Sequence, residues 1–154
     1  MARTNKKFQK RLDLLSTSHF LPLIHQRVLR HGKKKLAHRI LQKCLNHIQH
    51  QTQQDALLIV EKAIRNTTPS VVIQTRRIGG AVYPIPVELD MARGVPRAIG
   101  WILSAAKKRS GNTLSLKLAN EFIDASKKIG IAFQKKEEVH KIADANARMV
   151  KKKK

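Results

Sequence analysis

The side chains in this chain most capable of chemistry are cations. Arg76 and Arg77 close a β-branched run, VVIQTRRI, just before Gly79-Gly80. A guanidinium is a planar fork that grips a phosphate with two parallel hydrogen bonds, which an ammonium cannot copy. Tyr83, beyond the glycines, adds one ring on which a base can stack. Together with Ile78, these residues form a short stretch suited to phosphate and base contact. A purely structural hairpin with solvated arginines would show the same local pattern, so the rest of the chain has to decide. It carries further basic clusters: Arg3, Lys6, Lys7, Lys10 and Arg11; Lys33, Lys34 and Lys35; Lys107, Lys108 and Arg109; and Lys135, Lys136 and Lys141 around His140.

Catalytic groups are poorly supplied. The ten acids are scattered. Glu137 and Glu138 are adjacent, so on a helix they point about 100° apart and make a poor metal pair. The lysines around His140 make that site cationic. His47 and His50 share a face, yet no carboxylate or cysteine completes a metal site there. Cys44 is the one cysteine and sits in an apolar helical stretch, which suits an inert buried thiol. The expectation is no enzyme, no metal, no cofactor and no small-molecule substrate.

With 32 Lys+Arg against 10 Asp+Glu over 154 residues, the formal charge is +22. A compact domain with that excess repels itself unless a polyanion neutralises it. Nucleic acid is the first candidate and an anionic membrane surface the second. A hydrophobic fraction of 42% supports a core, while 4% aromatics are too few for a platform of stacked rings. No run approaches the ~18 apolar residues of a membrane span, and the basic N-terminus lacks the apolar core of a signal peptide. We expect no membrane partner, and synthesis in the compartment of use or prior removal of a transit segment.

The elements that must position the cations follow from periodicity. Residues 1–19 read as a basic arm, 20–150 as one helical domain and 151–154 as a basic tail. Phe20, Leu21, Ile24, Val28 and Leu29 mark a first helix stopped by Gly32. Leu36, Ile40, Leu41, Cys44, Leu45 and Ile48 mark a second, followed by a glutamine-rich linker over 49–54. Asp55 caps a third, with Ala56, Ile59, Val60, Ala63 and Ile64 on its apolar face. The two-stranded arm spans 71–89. Pro84 and Pro86 remove backbone donors, so its second strand cannot be central in a larger sheet. An isolated pair of strands needs a support or a partner. Residues 90–95 read as a loop, with Pro96 in the first turn of a fourth helix. Leu114, Leu118, Phe122, Ala125 and Ile129 mark a fifth helix, and Lys135 to Ala147 a sixth. The fold class is mainly α: a six-helix bundle with a protruding β-hairpin between helices three and four.

TRRIGGAVYPIPVEL, AIGWILSAAKKR, LANEFIDASKKIGIAFQKKEEVHKIADAN and RVLRHGKKKLAHRIL together closely resemble the seventh small-subunit ribosomal protein family of bacterial and organellar type, over residues 20–148. The resemblance implies a helical bundle with a β-hairpin and a structural role in the small ribosomal subunit. It also implies binding to the 3′ major domain of the small-subunit rRNA, nucleation of head assembly, and a hairpin near the exit site beside tRNA, mRNA and a platform protein. It assigns RNA contact to Arg76 and Arg77, to Lys33, Lys34 and Lys35, to Lys107, Lys108 and Arg109, and to Lys135, Lys136, His140 and Lys141. The N-terminal cations, Arg93 and Arg97 join that set. Ile78, Gly79, Gly80 and Tyr83 are assigned to the part of the arm near tRNA and mRNA. Pro84 stands where the family often has a polar residue. Gly100 stands where an arginine commonly precedes the tryptophan here numbered Trp101, and Arg97 is the expected substitute. The family's aromatic ending is replaced by ARMVKKKK. RHGKKKLA and QKKEE look plastid (chloroplast), with a mitochondrial or bacterial ribosome as the alternative. The competing reading is a β-arm DNA-architectural protein, whose proline-bearing basic arm would suit a minor groove.

Overall fold

Three helices precede the hairpin and three follow it. The computed structural model describes residues 19–151; Arg3, Lys6, Lys7, Lys10, Arg11 and residues 152–154 lie outside the described residues. The helices are α1 (Phe20–Val28), α2 (Lys34–Thr52), α3 (Ala56–Thr67), α4 (Met91–Lys108), α5 (Leu114–Ser126) and α6 (Ile131–Lys151). The strands β1 (Val71–Ile78) and β2 (Ala81–Glu88) lie between α3 and α4. Helix α5 is the central element and packs against α2, α3, α4 and α6. Its Leu118, Ala119, Phe122 and Ala125 are buried, and they meet Cys44 and Ile48 of α2, Ile59 and Ile64 of α3, and Ile99, Ile102 and Ala106 of α4 in one core. Burial pushes the Cys44 thiol up to about 12, so it stays protonated and unreactive at neutral pH.

The hairpin follows the expected turn chemistry. Gly79 and Gly80 have φ of 59° and 83°, the two left-handed positions that a type I′ turn requires. The strands pair antiparallel from Ile78↔Ala81 back to Val71↔Glu88. Beyond that ladder Leu89 N–H donates to Ser70 O at 2.8 Å. Alternation along the ladder then makes 72↔87, 74↔85 and 76↔83 the hydrogen-bonded pairs. Pro84 and Pro86 face Thr75 and Ile73 at the intervening positions, where a residue's N–H points away from its partner. Both prolines are therefore accommodated without loss to the ladder. The expected isolated arm has a support: α6 packs along both strands, and Val72 is buried at the base.

A single carboxylate ties two helix ends to α5. Glu121 of α5 is fully buried. Its Oε2 accepts from Arg109 Nε at 2.5 Å, and its Oε1 accepts from Ala132 N–H at 3.0 Å, in the first turn of α6. Arg109, the residue closing α4, also pairs with Asp124. A second tie runs through Asn66 of α3. Its side chain donates to Ala125 O at 3.1 Å and Ser126 O at 3.0 Å at the end of α5, and its own carbonyl accepts from Lys136 Nζ at 2.6 Å.

Several boundaries differ from expectation. Helix α4 begins at Met91 rather than at Pro96, which lies inside it. Asp90 O accepts from Arg93 and Gly94 N–H, so a full turn forms before the proline. Helix α2 continues through the glutamines to Thr52 and stops at Gln53 in the left-handed conformation. Helix α6 begins at Ile131, four residues early, because Glu121 caps it from a distance. Leu36 and Ile129, expected on apolar faces, are exposed at 47% and 62%.

Two glycines of α4 make opposite predictions. A Cβ on Gly94 would lie 2.8 Å from Thr68 Cγ2 and 3.0 Å from the Pro69 carbonyl oxygen. A Cβ on Gly100 would meet only Arg27 Nη1 at 3.7 Å. In urea titrations Gly94→Ala is expected to lose about 1–3 kcal/mol by overpacking. Gly100→Ala is expected to gain about 0.5–1 kcal/mol from the better helix former. Equal effects at the two positions would contradict this packing.

Candidate nucleic-acid interface

The corner between α1 and α2 is built to expose charge. Val28 ends α1, and His31 and Gly32 follow with φ of 51° and 70°. This left-handed pair reverses the chain and is closed by Lys33 N–H donating to Arg30 O at 3.1 Å. Lys33 then caps α2 while Lys34 and Lys35 open it. The N-terminus of a helix carries partial positive charge, so cations there are unfavourable by a few tenths to about 1 kcal/mol each. No acid sits in the first turn of α2 to offset them. The positive end of the helix dipole and the lysines would together favour an anion. Lys107 and Lys108, in contrast, close α4, where the dipole alone accounts for them.

The fold brings this corner to the end of α4. Arg27, Arg30, Lys33 and Lys107 rim one cleft of about 440 Å³. Its floor is apolar, formed by Leu36, Ala37, Ile40, Leu103 and Leu114. No acid is among the described residues that line it. A shallower hollow beside it holds Lys34, Lys35 and Arg39. Lys33 and Lys107, far apart in sequence, thus belong to one cationic surface. Among the described residues, Arg65 and Arg109 are the Lys/Arg side chains paired with carboxylates, so most of the charge is uncompensated within the fold.

The remaining assigned residues separate by placement. Arg109 faces inward to Glu121 and Asp124. Burial works against its charge, but the hydrogen bonds it donates to Asp124 and Glu121, and their negative charge, outweigh that, and its pKa lies above the ordinary guanidinium value. On α6, Lys135 and Lys141 are exposed, whereas Lys136 and His140 share the half-buried side with buried Ala143. Burial, then repulsion from Lys128, lowers the Lys136 pKa. Its ammonium also lies 5.7 Å from the Phe133 ring centroid. His140 Nε2 is buried with no hydrogen-bond partner among the described residues. Arg93 and Arg97 are exposed on the first half of α4. At 1.5 Å per residue, Arg93 is about 21 Å along the helix from Lys107.

Neighbours in sequence part company on the arm. Arg76 opposes Tyr83 and Arg77 opposes Val82. Successive strand residues face opposite ways, so the basic pair presents one guanidinium to each side of the hairpin. Both are exposed, and Tyr83 is half-buried.

Arg27, Arg30 and Arg39 were not singled out from the sequence. Arg27 Nη1 lies beside the space left by Gly100, so a first-helix arginine brings a guanidinium to the place where Arg97 was the expected substitute. The small residue at position 100 was the available signal. Among the described residues no His/Cys/Asp/Glu group could hold a metal ion, and no helix is long and apolar enough to cross a membrane.

Comparison with known proteins gives the chain's relatives. The profile of the family described as ribosomal protein S7p/S5e matches residues 3–147. The small ribosomal subunit protein uS7c of Chlorella vulgaris is 44% identical over 149 residues, covering 97% of this chain and 96% of its own. That of Prototheca wickerhamii matches at the same identity and coverage. The uS7 protein of the cyanobacterium Thermosynechococcus vestitus is 44% identical over 124 residues, 80% of each chain.

Adjacent cations at the end of α4 are expected to behave differently. Arg109→Ala leaves buried Glu121 without its cation, a loss of about 3–5 kcal/mol. Lys108→Ala is expected to change stability by less than about 0.5 kcal/mol. Denaturant titrations of the two variants check this, and equal losses would contradict the inward role of Arg109.

Proposed function

The chain belongs to the ribosomal protein S7p/S5e family, and from that premise we propose how it works as a structural constituent of the plastid small ribosomal subunit. It binds the 3′ major domain of the small-subunit rRNA and fixes its fold early, so that later proteins of the head can join. The observation that carries this reading is the cleft rimmed by Arg27, Arg30, Lys33 and Lys107, beside a helix N-terminus crowded with lysines against its own dipole. Each phosphate held there releases counterions, which gives affinity without sequence information. Selectivity comes from the spacing that the helical frame imposes on the cations, matched to the shape of a folded RNA.

The other assigned residues have graded roles. Lys34, Lys35, Lys108, Arg93, Arg97, Lys135 and Lys141 reach phosphates as exposed charges. Arg109, Lys136 and His140 act from the frame, holding the ends of α4 and α6 in register behind that surface. Arg3, Lys6, Lys7, Lys10 and Arg11 extend the contact along the RNA. The arm, with Arg76, Arg77, Ile78, Gly79, Gly80 and Tyr83, reaches toward exit-site tRNA and mRNA and a platform protein. The split of its two arginines suits simultaneous contact on both faces. Nothing in these roles requires catalysis or a cofactor.

Binding to a fragment of the 3′ major domain, compared with duplex DNA of equal charge across a salt series, tests the reading. The wild type is expected to prefer the RNA at moderate salt. Lys33→Ala/Lys107→Ala is expected to lower the log–log salt slope by roughly 1.5, at about 0.7–0.9 per lost phosphate contact. Equal affinity for the two nucleic acids would favour the DNA-architectural alternative or a nonspecific polycation.

A further inference from the structure

A surface that recognised only phosphates would have no use for an apolar floor. The cleft has one. Leu36 is 47% exposed, and it stands with Ile40, Leu103 and Leu114 beneath the rim of Arg27, Arg30, Lys33 and Lys107. Apolar surface left in water costs roughly 25 cal/mol per Å², and a phosphate, being fully hydrated, cannot relieve it. A nucleobase can, because its two faces are flat and apolar while its edge is polar. A cleft of about 440 Å³ also has far more room than one phosphate group fills.

We propose that this cleft is a subsite for one unpaired nucleobase, extruded from the rRNA and laid on Leu36, Ile40 and Leu114 with its flanking phosphates on the surrounding cations. The inference rests on the rRNA-binding reading and adds what the cleft takes. A paired base cannot enter, since its faces are covered by its neighbours in the stack. The cleft therefore selects a bulge, a loop or a junction over a continuous helix. Four of its five polar lining side chains, Arg27, Arg30, Lys33 and Lys107, offer donors only, and His31 is the fifth. A base edge rich in acceptors is preferred, and guanine, with O6 and N7 side by side, fits an arginine fork best. Cytosine presents a donor, its exocyclic amine, on the corresponding edge and offers no such pair of adjacent acceptors.

Two measurements on the full chain test this. In the first, rRNA-fragment affinity is measured across a salt series for Leu36→Ala and Lys33→Ala. Leu36→Ala is expected to weaken binding about three- to tenfold at every salt concentration with the slope unchanged, because no phosphate contact is lost. Lys33→Ala is expected to lower both affinity and slope. In the second, methyl resonances are followed during titration with guanosine monophosphate, cytidine monophosphate and ribose 5-phosphate. Guanosine monophosphate is expected to shift the methyls of Leu36, Ile40, Leu103 and Leu114 most, and ribose 5-phosphate to leave them in place. Wild-type affinity in Leu36→Ala, a shallower slope in that variant, or equal methyl shifts with ribose 5-phosphate would each overturn the subsite. The nucleotide titration does not involve the rRNA, so a failure of rRNA selectivity in the wild type would be seen separately.

Discussion

A buried carboxylate is the constraint on which the rest of this fold depends. Glu121 has no exposed surface, and a desolvated carboxylate is tolerated only with close partners of opposite charge and hydrogen-bond donors. It draws these from two directions, the Arg109 guanidinium at the end of α4 and the Ala132 N–H at the start of α6. Meeting that need fixes where two other helices begin and end relative to α5. Gly130 makes the approach possible, with φ of 108° and the Glu121 Oε1 only 3.2 Å from where its Cβ would be. A side chain at that position would have to push into the carboxylate.

The placement of the proposed functional surface follows from that frame. With α4 held at Arg109, Lys107 two residues earlier faces the corner of α1 and α2 and lines the cleft. With α6 held at its first turn, the helix runs along both strands of the hairpin and supports an arm that two strands alone could not sustain. The lysines at the start of α2 have no such compensation. They oppose the helix dipole, and no acid in the first turn of α2 offsets them. The buried ionic node orders helix ends around the apolar core, and the proposed recognition surface lies where the charges are unbalanced.

Much of this was legible from the sequence, and the reasons for the failures are specific. Gly79-Gly80 between β-branched runs defined the hairpin because only glycine takes both left-handed positions readily. The apolar spacing of α2, α3 and α5 gave their core faces directly. Pro96 misled: a proline usually opens a helix, but here Asp90 begins a turn ahead of it. Arg109 looked like one more member of a basic cluster, since its partners are 12 and 15 residues away. Glu121 itself carried a visible clue, lying within the stripe of Leu118, Phe122 and Ala125, where an acid without a partner would be untenable. The merging of the Lys33 and Lys107 clusters, and the placing of Arg27 over Gly100, depend on tertiary packing that periodicity does not encode.

The measurement that most directly tests this account is the rRNA-fragment affinity of Glu121→Gln. The substituted side chain keeps its shape and can still accept from the Ala132 N–H, but it gives up the charge that holds Arg109. If the ionic node sets the cationic cleft, the folded variant binds the RNA more weakly and with a shallower salt slope, although position 121 is buried away from any RNA. Full affinity and an unchanged slope, in a variant whose melting temperature has fallen, would show that the cleft stands without the node and would contradict the account.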